Sequence, residues 1–335
     1  MILLIVAVVS LLALSAVLTA LALVASSAPA ASGARDVFGM AALAGGAHAS
    51  ATPELERFLA RDGEDLAFRL YESVADQVLI FVHGSSYHGG GYHGLAQAVS
   101  QSGAAKVVLP NLRGHHLSGR RRGDVEYVGQ LEDDLADLVG VLRERGLTGP
   151  GVLGGHSSGG GLVVRFAGGG RAALATRFLM LAPILPTSPA IRGGNSGGWA
   201  RLHLKRLVGL IALNAVGVRG LDALPIIEFN KPAALWDGTE TLAYSYRLNT
   251  SLHPRVNWRK DLAALGAGSL ALIGEDDQAI NAQALKGMFA QFAPDAAFRT
   301  LAGVDHFGVF IQSAAITEIV GWLKSCNRKV DPANV

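Results

Sequence analysis

The run Gly155-His156-Ser157-Ser158-Gly159 gives one serine, Ser157, a glycine two positions before it and another two positions after it. The apolar pair Val152-Leu153 precedes the run and the apolar stretch 162–166 follows it, as a strand and a helix would. Between strand and helix a G-x-S-x-G turn is too tight for side chains at the flanking positions, and its strain holds the serine hydroxyl out above the sheet. Ser157 is therefore the candidate nucleophile, with Gly155 and Gly159 as motif glycines. Ser158 lacks the flanking pair. A hydroxyl attacks only when a base removes its proton, and the base needs an acid that fixes its tautomer and orientation.

With such an elbow the acid and then the histidine come later in the chain, each just past a strand end. The apolar run 270–273 is followed by Gly274-Glu275-Asp276-Asp277, and the run 298–301 is soon followed by Gly303-Val304-Asp305-His306-Phe307. Of the ten histidines only His306 combines a strand-end place with an acidic cluster upstream. We assign the base to His306 and the acid to Asp277, with Asp276 the main rival and Asp305 a lesser one. Acyl transfer also needs two donors for the tetrahedral oxyanion, each worth about 10²- to 10³-fold in rate. The backbone N–H of Ser158 is one; the other falls to Ser85, in the loop His83-Gly84-Ser85-Ser86 after the run 78–82, with Gly84 as its glycine and His83 organising it.

Several elements must bring these residues together. Apolar runs at 66–71, 78–82, 107–109, 152–153, 178–185, 270–273 and 298–301 are mostly continuous, as in strands buried on both faces, and helical patterns such as 127–144 and 282–292 separate them. Alternation of this kind predicts an α/β fold, a mostly parallel sheet flanked by helices with its site at the carboxyl ends of the strands. Between 187 and 254 the alternation stops. A helix expected over 199–216 sets Leu204, Leu207, Val208 and Ile211 opposite Arg201 and Lys205, so this insertion reads as a helical cap or lid. That helix could line an acyl pocket, rest on a bilayer, or pack on the core.

From Ile2 to Val24 no residue is charged. At 1.5 Å per residue the stretch reaches about 34 Å, enough to cross a hydrocarbon core of about 30 Å. A membrane-spanning anchor is favoured over a cleaved signal peptide, which needs a basic start and a shorter apolar core. Small residues from Ala25 to Ala30 would allow cleavage, and then the protein would be secreted. The sparse flanking charge leans only weakly to an exported catalytic domain. The expected organisation is an anchor over 1–24, an Ala/Gly/Ser-rich tether over 25–52, a core over 53–186 and 255–326, a cap over 187–254 and a tail over 327–335. Net charge is +2, which gives no footprint for nucleic acid, and 50% hydrophobic against 17% charged residues excludes general disorder. The single Cys326 closes no bridge within the chain and leaves no cysteine-based zinc site.

The residues at 62–324 resemble the α/β-hydrolase superfamily, in particular its monoglyceride lipase, lysophospholipase and serine aminopeptidase-like branch. The resemblance rests on Phe81-Val82-His83-Gly84, Leu112-Arg113-Gly114-His115, the elbow at Ser157, Gly274 to Asp277 and Asp305-His306-Phe307. It implies an eight-stranded sheet, a variable cap and a Ser-His-Asp mechanism with no metal and no cofactor. In that family the acid usually stands three residues after the strand-end glycine, which supports Asp277. Two positions depart from the pattern: Asn111 stands for a carboxylate and His116 for a glycine. Ser158 replaces a frequent Met or Gln and keeps the backbone donor.

The substrate expected is a small-molecule carboxylic ester, lipid-like or otherwise apolar, with the membrane as partner. Two alternatives use the same residues: an aminopeptidase or amidase, for which Glu228 or Asp237 in the cap would capture a free amine, and a binding protein without turnover. Arg120-Arg121-Arg122 reads as a solvated loop more readily than as an anion site. His88 and His93 read as residues of a loop near the pocket mouth rather than as metal ligands.

Overall fold

The computed structural model describes residues 1–27, 36–39, 51–149, 151–192 and 198–327. Along the chain run the strands β1 (Glu56–Leu59), β2 (Asp65–Tyr71), β3 (Val78–Val82), β4 (Lys106–Asn111), β5 (Gly151–His156) and β6 (Arg177–Leu181). After them come β7 (Ala200–Leu202), β8 (Pro225–Phe229), β9 (Ala243–Ser245), β10 (Leu270–Gly274) and β11 (Ala297–Leu301). Eight form one sheet in the order β1-β2-β4-β3-β5-β6-β10-β11. The pairs β1–β2 and β2–β4 are antiparallel, and every other pair in it is parallel. All five residues of β3 and all five of β10 are buried, so their continuous apolar character follows from cover on both faces.

Register decides where the site lies. Val82 pairs with Gly155, His156 with Leu181, Leu181 lies level with Leu272, and Gly274 pairs with Leu301. The carboxyl ends of β3, β5, β6, β10 and β11 therefore share one edge, and the chain leaves each of them into a loop at that edge. The strand expected over 178–185 is shorter, because Ala182 turns to φ +42 and directs the following residues off the sheet.

Helices cover both faces. They are α1 (Ile2–Ala25), α2 (His93–Gln101), α3 (Gln130–Glu144), α4 (Ser158–Ala167), α5 (Leu204–Ala215), α6 (Tyr246–Leu252), α7 (Trp258–Ala263), α8 (Ala282–Phe292), α9 (Gly308–Ile311) and α10 (Ser313–Asn327). One layer joins α2 to α9 and α10; the other runs from α3 through α6 and α4 to α7 and α8. In α3 the residues Leu131, Leu135, Leu138 and Leu142 are buried at spacings of four, three and four, one apolar stripe turned to the sheet. The fold is α/β, as expected.

The cap differs from expectation in composition. It is not helical throughout: β7, β8 and β9 form a three-stranded antiparallel sheet beside α5. The helix expected over 199–216 begins only at Leu204, since residues 200–202 pair with β8. The 25–52 stretch is also more than a tether at one point, for Phe38 is buried in the main core. Its parts at 28–35 and 40–50, and the tail from 328, lie outside the described residues. The helix α1 has 24 residues and a mean hydropathy of 2.9 over its most apolar window, and its first half is exposed. Its second half packs on the cap: Ala20 and Val24 share a buried cluster with Leu210, Leu213, Ile226 and Tyr246.

Candidate active site

Ser157 sits between β5 and α4 with φ +57 and ψ −120, a conformation that L-residues adopt only under local constraint. The glycines explain how the turn is possible. A Cβ at Gly155 would lie 2.5 Å from the Gly159 carbonyl carbon, and one at Gly159 would lie 2.5 Å from the His83 carbonyl oxygen. Side chains at either place would push α4 off the sheet edge, so the strand-to-helix step closes only with glycine.

His306 and Asp277 reach the same edge from the loops after β11 and β10. The Ser157 hydroxyl lies 3.0 Å from His306 Nε2, and His306 Nδ1 lies 2.7 Å from Asp277 Oδ2. Asp277 is 1% exposed, and its other oxygen accepts from the N–H groups of Ala279 at 2.8 Å and Ile280 at 2.7 Å. Those two donors orient the carboxylate so that Oδ2 faces the imidazole. With Nδ1–H donating to Asp277, Nε2 is left as the acceptor for the serine proton, the arrangement a general base requires. The rival acids point elsewhere. Asp276 is exposed, and Asp305 accepts from the Gly308 N–H at 2.6 Å.

Ser85 lines the cavity beside Ser157, and its hydroxyl donates to the buried Ser158 hydroxyl at 2.9 Å. Ser158 opens α4, where a helix leaves the N–H without an intrahelical acceptor. The Ser85 loop is fixed on both sides by tyrosines: Gly84 N–H donates to the Tyr92 hydroxyl at 2.9 Å, and Ser86 N–H to the Tyr244 hydroxyl at 2.8 Å. A Cβ at Gly84 would stand 3.2 Å from the Ser157 Cβ, so glycine there keeps the loop close to the serine. His83 works as a loop organiser, accepting the Leu112 N–H at Nε2. Burial holds its pKa well below the usual range, so it stays neutral.

Sequence reasoning missed two residues behind the serine. The Tyr92 hydroxyl contacts His156 Nδ1 at 2.8 Å, and His156 Nε2 contacts the His306 carbonyl oxygen at 2.9 Å. Only one proton arrangement satisfies all of them: Gly84 N–H donates to Tyr92, Tyr92 O–H to His156 Nδ1, and His156 Nε2–H to His306. Burial keeps His156 far below its ordinary pKa, which this neutral tautomer needs. The Ser85 loop and the His306 loop are thereby joined through the residue preceding the serine. His156 sits inside the quoted motif, so its position was visible, but nothing local marked its partners.

Other singled-out residues are engaged away from this edge. Glu228 pairs with Arg201 and, at 3.0 Å, with His203, binding β8 to β7 and its neighbour. Asp237 accepts from the Thr239 hydroxyl and N–H. Neither is among the residues that line the cavity beside Ser157. Arg120 pairs with Glu64, Arg121 with Asp124 and Glu126, and Arg122 donates to the Gly238 and Glu240 carbonyls. His93 is buried against the Tyr71 hydroxyl, while His88 accepts the Gly90 N–H. Asn111 accepts the Gly89 N–H and donates to the His116 carbonyl, a double role that a carboxylate could not fill.

The cavity beside Ser157, about 240 Å³ with the open solvent at its mouth, is faced by aromatic rings from three regions, Phe38, Trp199 and Phe307. A model of the alpha/beta hydrolase family matches residues 79–320. The chain belongs to the alpha/beta hydrolase family. Within this hydrolase, 94 residues are 36% identical to a monoacylglycerol lipase of Mycolicibacterium smegmatis, a match over 28% of the chain and 32% of that relative. The chain thus matches about a third of the length of that curated relative. Among solved structures, the hydrolase resembles a Paleococcus ferrophilus monoacylglycerol lipase at a TM-score of 0.56 and 21% identity, over 78% of this chain and 98% of that one. A soluble variant of the Saccharomyces cerevisiae monoglyceride lipase gives 0.60 at 14% identity, over 83% and 96%. A Thermogutta terrifontis esterase gives 0.56 at 18%, over 81% and 98%. Likeness at these identities carries the fold.

Proposed function

We propose that this hydrolase cleaves carboxylic esters of apolar, lipid-like acyl groups through an acyl-enzyme, while α1 holds it at a membrane. The observation that carries the reading is the unbroken line from the Ser157 hydroxyl through His306 to Asp277, at 3.0 and 2.7 Å. In this reading Ser157 Oγ attacks the ester carbon as His306 Nε2 takes its proton, and the Asp277 carboxylate stabilises the imidazolium formed. The carbonyl oxygen gains the negative charge, facing the N–H groups of Ser85 and Ser158. Collapse breaks the bond to the alkoxy oxygen, which leaves as alcohol with the proton from His306. Water then gives a proton to His306 and attacks the acyl carbon. The acid departs and Ser157 recovers its hydrogen.

The aromatic lining of the cavity and the likeness to monoacylglycerol lipases support an apolar acyl group. An apolar N-terminal helix of this length suits a membrane anchor or a signal sequence equally in composition. The burial of Ala20 and Val24 against the cap supports the anchor, because cleavage would strip that cover from Leu210 and Leu213. Ser157→Ala is expected to lower kcat by about 10⁶. Fluorophosphonate labelling and nitrophenyl-ester turnover of wild type and variant decide the matter, and equal signals in both would end the proposal.

A further inference from the structure

Phe38 belongs neither to the sheet nor to the cap. It lies in the segment Asp36–Gly39, between α1 and β1 and outside residues 79–320 that match the family. Its ring is nonetheless 3% exposed and lies on the imidazole of His306, centroids 4.9 Å apart and planes 21° from parallel. Two more rings close around it: Phe307 edge-on at 5.3 Å, and Trp199 of the cap at 5.3 Å. The phenyl group therefore forms part of the wall of the cavity that Ser157 also lines. With it in place only about 10 Å³ is open to a water-sized group, far short of the roughly 300–1,000 Å³ of small-molecule sites.

A phenyl ring has no donor or acceptor, so its hold on these neighbours is apolar burial and ring contact. An alkyl chain offers the same neighbours the same kind of contact. We propose that Phe38 is a built-in plug: it occupies the apolar part of the substrate site and must withdraw, with the Asp36–Gly39 segment, before an ester can reach Ser157. The inference rests on the catalytic reading of Ser157 and His306 given above. It deepens that reading by naming what competes with substrate. A long acyl chain replaces the contacts that the ring gives up, whereas a short one leaves Trp199 and Phe307 partly uncovered. The chain length of the substrate thus sets how readily the site opens.

If the open fraction limits reaction, removing the ring raises the rate by up to the factor with which its burial favours the closed state, roughly ten- to a hundredfold. The full-length protein in detergent micelles is labelled with a small fluorophosphonate, and its turnover of butyrate and dodecanoate nitrophenyl esters is measured. Phe38→Ala is expected to label at least about tenfold faster, to gain more on butyrate than on dodecanoate, and so to lower the ratio of long- to short-chain kcat/KM. Phe38→Trp is expected to label more slowly than wild type. Should Phe38→Ala fail to fold, Phe38→Leu, which keeps an apolar side chain but loses the flat ring, is expected to show the same direction of change. A folded Phe38→Ala or Phe38→Leu that labels no faster than wild type overturns the plug and makes Phe38 a fixed wall. That failure is distinct from failure of the catalytic reading, in which wild type and Ser157→Ala label alike and both ideas fall.

Discussion

Gly274, at the end of β10, lies so close to the Val304 carbonyl oxygen that a Cβ on it would fall well inside van der Waals contact. Gly274 leads into the loop that carries Asp277, and Val304 lies in the loop that carries His306. Their approach holds the loops of Asp277 and His306 together. Gly274→Ala must separate these loops, and displacement of a reacting group by about 1 Å can cost on the order of 10²-fold. We expect kcat to fall by about that factor together with the melting temperature. Ester turnover and thermal unfolding of the variant check it, and wild-type values in both would refute the role given to this contact.

The three acids near the base make separable predictions. In the proposed mechanism Asp277→Asn removes the charge that orients and stabilises the imidazolium, and a loss of about 10⁴-fold in kcat is expected. Asp276 is exposed, so Asp276→Asn should remain near wild type. Asp305→Asn weakens the acceptor for the Gly308 N–H and should act on stability more than on turnover. A larger loss of kcat at residue 276 or 305 than at 277 would overturn the assignment.

Much of the proposed site could be read before folding was considered, because each of its candidate residues lies beside a glycine-marked strand end. Gly155, Gly159 and Gly274 signal backbone crowding that holds in the fold, and the order of serine, acid and histidine narrows the choice. The link from Tyr92 through His156 to His306 could not be read. Those residues lie far apart in sequence, and none stands in a pattern that demands the others. The cap sheet escaped for a different reason: β7 and β9 have three residues each, too few for a period to declare itself. Phe38 was hidden by its setting, a single aromatic in a stretch of small residues, whose weight comes only from the rings folded around it.

The α1–cap contact gives a prediction outside the site. A Cβ at Gly209 of α5 would stand 2.6 Å from the Ala20 carbonyl oxygen and 2.8 Å from Val24 Cγ2. A larger side chain forces the helices apart, and overpacking of this kind costs about 1–3 kcal/mol. Gly209→Leu is expected to lower the unfolding midpoint in detergent, with Gly209→Ala intermediate. An unaltered midpoint for Gly209→Leu would show that α1 does not dock on the cap.

Acid should destabilise the fold well before most carboxylates titrate. Burial pushes His88, His115 and His253 down to about 4, and holds His83 and His156 well below the usual range. In the unfolded chain each titrates near 6.5. Between about pH 6.5 and 4 the unfolded state thus binds protons that the native state refuses. Stability is complete above the upper value and falls as pH drops through the window, by up to about 1.4 kcal/mol per pH unit for each histidine. Asp134 works the other way: burial raises it to about 6 although Arg113 draws it down, and burial raises Asp222 too, so these two carboxyls offset part of the histidine effect. Chemical denaturation at steps from pH 7 to 4 should show a falling midpoint. His253→Gln, which removes one titrating group, should flatten the slope by about one proton's worth. A midpoint that stays level across the window would mean that these imidazoles are reached by water and charge freely in the native state.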